Sequence, residues 1–264
     1  MATSDAPLQI GRVVLTVNDL GKVGDFYQDT IGLQRLSGDA AGMVLGVDDA
    51  PLLELRRDIA ARFRPQEAGL FHTAFLLPDR RALGSWLRFA AESGLRVDGA
   101  SDHLVSEAVY LRDPEGNGIE IYVDRPRDSW DRNGAEVRMD TVALNLQDLL
   151  AAGRDPWRGA PEGTVVGHVH LQVGDVARAE DFYMNRLGLE RSAHIFGASF
   201  FASGGYHHHL AGNIWNSRGA GQRSPGAAGL AEVVLAADAP VLAGLASHDL
   251  ADPWGTRIRL VAKG

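Results

Sequence analysis

Short apolar segments followed by stretches with helical spacing recur along this chain. The segments VVLTV and VHLQV have the character of strands and are bounded by Gly and Asp. Residues 11–35 and 167–191 are related by a constant offset of 156, with Asp-Phe-Tyr and Gly-Leu recurring in register. Stretches that begin at Gly69 and Gly229 form a second, weaker pair. The pattern predicts four copies of one unit, beginning near residues 10, 69, 166 and 229.

Each unit is predicted to fold as a strand, a helix and three further strands. Asp19 and Asp175 stand where helix N-caps are expected, and Gly32 and Gly188 stand where those helices would end. A cleaner helix is predicted over residues 79–94. The fourth unit is truncated, because its sequence has room for a helix but not for a further full strand.

Two such units placed side by side pair their open sheet edges and form an eight-stranded cup with a concave interior. The sequence therefore predicts an α+β fold of four βαβββ modules in two eight-stranded open-barrel cups. Modules one and two occupy residues 1–125, a connector rich in Pro, Asp, Arg and Gly occupies residues 126–163, and modules three and four occupy residues 164–264.

Composition narrows the classes of function. The net charge of −8 makes nucleic-acid and anionic-membrane surfaces poor expectations, since both need clustered Lys and Arg. The absence of Cys excludes thiolate metal sites and disulfides, so any metal must be held by His and carboxylate groups. No apolar run approaches the roughly 20 residues of a membrane span, and the first residues lack a signal-peptide pattern. We expect a cytoplasmic protein.

Three polar residues lie inside apolar strand segments, where an unpaired polar side chain is costly. His72 lies in LFHTAFLLP, His168 occupies the equivalent strand of module three, and Glu120 lies in GIEIYV. Two His and one carboxylate form the ligand set that leaves open positions on Fe(II). A hydrogen-bonded core histidine is the alternative interpretation of His72.

The sequence from His103, HLVSEAVYLRDPEGNGIE, is similar to the signature of type I extradiol ring-cleavage dioxygenases, apart from Ser101, which replaces the usual Gly, Asn, Thr or aliphatic residue. The βαβββ repeat resembles the vicinal oxygen chelate superfamily, which contains glyoxalases, bleomycin resistance proteins and these dioxygenases. The resemblance covers nearly the whole chain and is closest to bacterial catechol 2,3-dioxygenases.

This resemblance implies that His72, Glu120 and His168 bind Fe(II), with Mn(II) as an alternative. In the usual two-domain enzymes the ligands come from modules three and four. In this chain Glu232 and Arg259 stand at the ligand positions of module four. Arg12 stands at the ligand position of module one. We therefore expect modules two and three to form the active cup, and modules one and four to form an empty one.

The resemblance also implies three catalytic residues. The family pattern His-x-x-Ala selects His208 for proton transfer, counted back from Ala211. Tyr110 and His103 match signature residues that line the substrate pocket. Alternation predicts that His207 and His209 face away, and His170 is the rival of His168 as a metal ligand.

The expected function is Fe(II)-dependent extradiol cleavage of a catechol by O2. The alternatives are a glyoxalase-like metal-dependent isomerase and a non-catalytic protein that binds small aromatic molecules or antibiotics. The expected partners are a small aromatic diol and O2, without nucleic acid or membrane, and a homo-oligomer is left open.

Overall fold

The computed structural model describes residues 5–134 and 136–264. Module one comprises β1 (Leu8–Val17), α1 (Leu20–Phe26), a π-helical turn (Tyr27–Ile31), β2 (Gln34–Gly38), β3 (Gly42–Val47) and β4 (Ala50–Arg57). Module two comprises β5 (Gly69–Leu76), α2 (Arg80–Glu92), β6 (Gly99–Asp102), β7 (Ser106–Arg112) and β8 (Gly118–Asp124). The next segment comprises a 3₁₀ turn (Arg127–Ser129), β9 (Arg132–Asn133), β10 (Glu136–Val137), β11 (Val142–Ala143) and α3 (Leu146–Ala152). Module three comprises β12 (Val165–Gln172), α4 (Val176–Asn185), β13 (Glu190–Ile195), β14 (Ala198–Ala202) and β15 (Leu210–Asn213). Module four comprises β16 (Gly229–Ala237), α5 (Ala239–Gly244), β17 (Asp249–Ala251) and β18 (Arg257–Ala262).

Two large mixed sheets each combine strands from two modules that are distant in sequence. The first sheet has the order β17-β18-β16-β1-β4-β3-β2 and joins modules four and one. The second has the order β11-β6-β7-β8-β5-β12-β15-β14-β13 and joins modules two and three. In each module the first strand runs parallel to the last, and the two modules of a sheet meet through antiparallel first strands. The predicted α+β fold of repeated modules is confirmed.

The strand numbers differ from the predicted eight in each cup. The first sheet has seven strands, because β17 and β18 are the only strands that follow α5 in module four. The second has nine, because β11 of the predicted connector pairs with the free edge of β6. The segment predicted to be a connector therefore contributes regular structure. The domain boundaries predicted at residues 125 and 163 stay a prediction. Each of the two large sheets contains strands from both sides of these boundaries.

A shared hydrophobic core lies between the two sheets. Val169 and Leu171 of β12 pack in the same buried cluster as Leu15 of β1 and Leu235 of β16. Alternation along β12 then turns His168 and His170, the two neighbours of Val169, to the opposite face of the second sheet. Burial of one face thus fixes which side chains of β12 and its neighbours are available for chemistry.

The predicted helix starts agree with the structure, whereas α4 ends at Asn185, three residues before the predicted Gly188. The side chains of Asp19, Asp79 and Asp175 each accept a hydrogen bond from the backbone N–H three residues later, as N-cap residues do. Gly32 adopts a left-handed conformation with φ of 80° where the first helical segment ends. Within the described ranges, no helix combines the length and apolar character needed to cross a membrane.

Ion pairs occupy the part of the first sheet that corresponds to the predicted metal-binding part of the second. Arg259 Nη2 lies 2.8 Å from Oε2 of Glu232, a residue that is 1% exposed. Arg12 Nε lies 3.2 Å from Glu54 Oε2, and Arg56 Nε lies 2.7 Å from Glu54 Oε1. Carboxylates that would otherwise be isolated are thus neutralised by guanidinium groups.

We predict that Arg259→Leu lowers the free energy of unfolding by about 1–3 kcal/mol, because it leaves the buried Glu232 carboxylate without its partner. Urea denaturation measures the loss. A double variant, Glu232→Met with Arg259→Leu, serves as the control and should recover most of the stability, since both charges are then removed. Equal unfolding free energies of wild type and Arg259→Leu would show that the Arg259–Glu232 pair does not stabilise the fold.

Candidate active site

A row of residues across four strands of the second sheet builds the floor of the candidate site. Tyr110 of β7 pairs with Glu120 of β8, Glu120 pairs with Ala74 of β5, and Ala74 pairs with His168 of β12. His72 lies two residues before Ala74, on the same face of β5. The small side chain of Ala74 leaves space above β5. The side chains of His72, Glu120 and His168 converge over this space.

Two glycines shape this floor. Gly167 lies in the register shift of β12 between Val166 and His168, and such bulges often re-aim a side chain beside a functional site. A Cβ at Gly167 would lie 1.8 Å from Tyr122 Oη, so the close approach of this tyrosine requires glycine. A Cβ at Gly118 would lie 2.0 Å from a backbone carbonyl oxygen of β5. Glycine at these two positions therefore lets Tyr122 lie against β12 and lets β8 lie close to β5.

The three predicted metal ligands converge on one point. His72 Nε2 lies 2.9 Å from Glu120 Oε2, His168 Nε2 lies 3.2 Å from the same oxygen, and the two Nε2 atoms are 3.4 Å apart. Donors bound to one ion at about 2.1 Å are separated by roughly 3.0 Å at right angles and roughly 3.4 Å in a tetrahedron. In the part of the chain that the structure describes, this is the one group of three such donors within 4.8 Å.

The electrostatics of this group suit a cation. Burial acts to raise the pKa of Glu120, but the adjacent His168 and His72 outweigh it and hold that pKa well below its usual value. Burial lowers the pKa of His168 to about 4, although Glu120 opposes the shift. At neutral pH the carboxylate is therefore ionised and the His168 ring is neutral, which are the protonation states that metal binding requires.

A cavity of about 610 Å³ opens over the three donors. Its size lies within the range of about 300–1,000 Å³ that is typical of small-molecule sites. One wall is aromatic and includes Phe71, Phe200 and Trp215. Ile195 and Phe196 contribute to the lining from the β13–β14 hairpin, and Phe196 is 90% exposed. A planar apolar ligand would bury its rings against this wall while its polar edge faced the donors.

His103 and Tyr110 form a hydrogen-bonded pair that lines the cavity. His103 Nδ1 lies 2.8 Å from the backbone oxygen of Asp140, which can only accept, so this nitrogen carries the proton. His103 Nε2 therefore accepts from Tyr110 Oη at 2.6 Å. Burial, and then the charge of Glu120, raise the pKa of Tyr110 well above its usual value. Tyr110 thus stays a hydrogen-bond donor at neutral pH.

The His207–His209 run lies just before β15, and its middle member faces the cavity. The ring of His208 lines the cavity with its centroid 4.1 Å from that of His168. His207 and His209 are fully buried and outside the lining, as alternation predicts. His209 Nδ1 accepts a hydrogen bond from the backbone N–H of Ser203. Burial, and then His168 and His207, hold the pKa of His208 well below its usual value.

His170, the rival ligand, also lines the cavity but lies outside the group of three donors. Its ring centroid lies 5.0 Å from that of His72 and 5.4 Å from that of Trp215. Its Nε2 is buried without a hydrogen-bond partner among the described residues. The geometry places His170 in the aromatic wall, beside the donors.

Sequence reasoning missed a second polar group behind His208. Asp124, at the end of β8, accepts hydrogen bonds from His207 Nε2 at 2.8 Å and from Tyr206 Oη at 3.0 Å. Tyr122 Oη lies 2.9 Å from Tyr206 Oη. Asp124 follows Glu120 by four residues on the same strand, and this alternation was the available signal.

Comparison with known proteins identifies the family. A family model described as Glyoxalase/Bleomycin resistance protein/Dioxygenase superfamily matches residues 9–121 and 165–239. The chain belongs to this superfamily. The catechol-2,3-dioxygenase of Bacillus subtilis (strain 168) is 42% identical over 229 residues, which cover 84% of this chain and 80% of that protein. The predicted resemblance to catechol 2,3-dioxygenases is confirmed.

Two further known proteins are more distantly similar to this chain. The biphenyl-2,3-diol 1,2-dioxygenase 3 of Rhodococcus globerulus is 26% identical over 152 residues, which cover 54% of this chain and 80% of that protein. The crystal structure of glyoxalase I from Zea mays superposes with a TM-score of 0.57 at 16% identity and covers 97% of this chain and 92% of that chain. At this identity the structure supports the shared fold alone.

We predict that His209 makes the metal-free protein less stable in acid. Burial, and then His207, lower the pKa of His209 to about 3, so the folded state keeps this ring neutral while the unfolded chain protonates it below pH 6.5. Stability is therefore present above pH 6.5 and falls towards pH 3, by about 1.4 kcal/mol per unit from this ring.

The check is the urea unfolding free energy between pH 7 and pH 4.5, measured with a chelator present. The matched variant is His209→Gln, whose amide oxygen can still accept from Ser203. It should show a shallower decline than wild type. Identical slopes would contradict the assignment of this acid sensitivity to His209.

Proposed function

We propose that this protein is an Fe(II)-dependent extradiol dioxygenase. It cleaves a carbon–carbon bond next to the diol of a catechol-type substrate, and both atoms of O2 enter the product. The observation that carries the proposal is the buried group of His72, Glu120 and His168 at the base of a cavity with an aromatic wall. The 42% identity to a catechol-2,3-dioxygenase supports the same reaction.

In this proposal the two imidazoles and the carboxylate hold the iron. Their spacing fits a single ion, and two His with one carboxylate is the ligand set of non-haem Fe(II) oxygenases. Fe(II) bound there would supply the electron transfer between diol and dioxygen that ring cleavage requires. Mn(II) is the alternative, because it accepts the same imidazole and carboxylate donors.

His208 is assigned to proton transfer. A diol placed over the three donors would lie beside this ring, whose centroid is 4.1 Å from that of His168. The diol O–H bond breaks, its electron pair stays on oxygen, and the proton moves to a ring nitrogen of His208. Tyr110 donates its O–H to His103 Nε2, so its Oη can accept a hydrogen bond from the second diol hydroxyl. The aromatic wall excludes water and orients the ring.

Among the described residues no second carboxylate joins the three donors, as the base of a glyoxalase-like isomerase would. Glu54 lies in the first sheet, paired with Arg12 and Arg56, and is not part of the site. A non-catalytic aromatic binder would have no need for three buried metal-ligand groups. The partners of the proposed reaction are a small aromatic diol and O2. A cytoplasmic location and a homo-oligomer stay predictions.

We predict that the protein loaded anaerobically with Fe(II) consumes O2 when catechols are added and forms a yellow ring-opened product. Replacement of His72, Glu120 or His168 by Ala removes one of three metal bonds, so metal content and O2 uptake should both be lost. Metal analysis and an oxygen electrode measure the two effects.

The control for this experiment is Glu232→Gln, which changes a buried carboxylate of the first sheet and should keep both metal and activity. The proposal fails if wild type takes up no O2 across a panel of catechols. It also fails if the metal persists in all three alanine variants.

We predict that His208→Ala keeps its metal and binds the diol but turns over about 10²-fold more slowly, because a general acid–base is lost. Steady-state O2 uptake at saturating catechol gives the rate, and metal analysis checks loading. The matched control is His209→Gln, a change in the adjacent residue outside the cavity, which should retain most of the rate. Normal turnover by His208→Ala would exclude this residue from proton transfer.

A further inference from the structure

A chain of three polar side chains leads away from the cavity behind His208. His207 Nε2 lies 2.8 Å from Asp124 Oδ1, and His207 Nδ1 lies 2.8 Å from His208 Nδ1. Of these three residues, only His208 lines the cavity. The chain therefore connects a candidate proton-transfer group to a carboxylate that substrate does not reach.

The donors and acceptors in this chain define its direction. A carboxylate is an acceptor only, so the proton of His207 lies on Nε2 and points to Asp124. If the His207 ring carries a single N–H, the one that points to Asp124, a lone pair is left on Nδ1. This lone pair must accept from His208, so the His208 proton lies on Nδ1. The ring nitrogen of His208 that remains for a ligand is Nε2, and it carries a lone pair.

Packing holds the intermediate ring in place. The ring centroid of His207 lies 4.0 Å from that of Tyr206 and 5.3 Å from that of Trp130, and the residue is fully buried. Ser192 Oγ donates to the backbone oxygen of His207. Tyr206 Oη also donates to Asp124, which stabilises the ionised carboxylate. A ring packed in this way cannot flip by about 180° and exchange the positions of Nδ1 and Nε2 without displacing its neighbours.

We propose that His207 and Asp124 are positioning residues that fix His208 in the Nδ1–H form, so that its Nε2 faces the substrate as a base. The role at the substrate rests on the proposed function, whereas the protonation pattern does not. When Nε2 accepts the diol proton, the Nδ1–H bond to His207 is retained. The positive charge that forms on His208 is stabilised through His207 by the negative charge of Asp124.

The protonation pattern is tested without turnover by ¹⁵N NMR of histidine-labelled protein loaded with Zn(II), which is diamagnetic. His207 and His208 signals are assigned by their loss in His207→Gln and His208→Gln. We expect the proton of His207 on Nε2 and the proton of His208 on Nδ1. A His208 ring protonated on Nε2, or a His207 ring protonated on both nitrogens, would overturn the proposal whether or not the protein is a dioxygenase.

Activity of Fe(II)-loaded variants supplies the second test. His207→Leu breaks the chain, so kcat should fall by roughly 10²-fold with KM and metal content little changed. His207→Gln can donate to Asp124 and accept from His208, so it should recover most of kcat. The control is Glu232→Gln in the first sheet, which leaves the His208–His207–Asp124 chain intact and should keep its rate. Equal rates for the Leu and Gln variants would overturn the positioning role, since side-chain size alone would then account for both.

Discussion

The antiparallel pairing of β5 with β12 is the interaction on which the candidate site depends. It joins modules two and three and places His168 opposite Ala74. Ala74 in turn pairs with Glu120 on the next strand. It also places His72 opposite His170. His72 and His168 are 96 residues apart in the chain, yet their Nε2 atoms lie within 3.4 Å. The hydrophobic core between the sheets stabilises this pairing, because it fixes which face of each strand is buried.

The two sheets share the same strand pairing but carry different charged and polar side chains at equivalent positions. In the first, the row Arg12, Val234 and Arg259 corresponds to His168, Ala74 and Glu120 in the second. Guanidinium groups neutralise carboxylates in the first sheet, so a cation there would meet like charge. In the second, two imidazoles and one carboxylate leave a site that favours a cation. The difference lies in a few side chains, and the backbone pairing is the same.

Much of the fold could be predicted from sequence because the signals were local and repeated. Asp19 and Asp175 capped the helices as expected, and the recurring strand pattern indicated the modules. Glu120, His72 and His168 were recognised because each lies inside an apolar strand segment, where an unpaired polar side chain is costly. The role of β11 could not be predicted, because a two-residue strand has almost no pattern and pairs only when a free edge lies beside it.

The environment of His208 was only partly predictable. Its position in the run of three histidines followed from a motif and from alternation, and it lines the cavity. The link from His207 to Asp124 joins residues 83 positions apart, so it depends on how β8 and the segment before β15 meet in three dimensions. Alternation along β8 puts Asp124 on the face of Glu120, but no local sequence pattern records its contact with His207.

The central claim is that one iron ion binds between His72, Glu120 and His168. Anomalous diffraction at the iron absorption edge, from crystals of protein loaded anaerobically with Fe(II), tests it most directly. We expect one strong peak within bonding distance of His72 Nε2, His168 Nε2 and the Glu120 carboxylate. A peak at the His207–His209 run or beside Glu54 and Glu232, with none at the three donors, would contradict it.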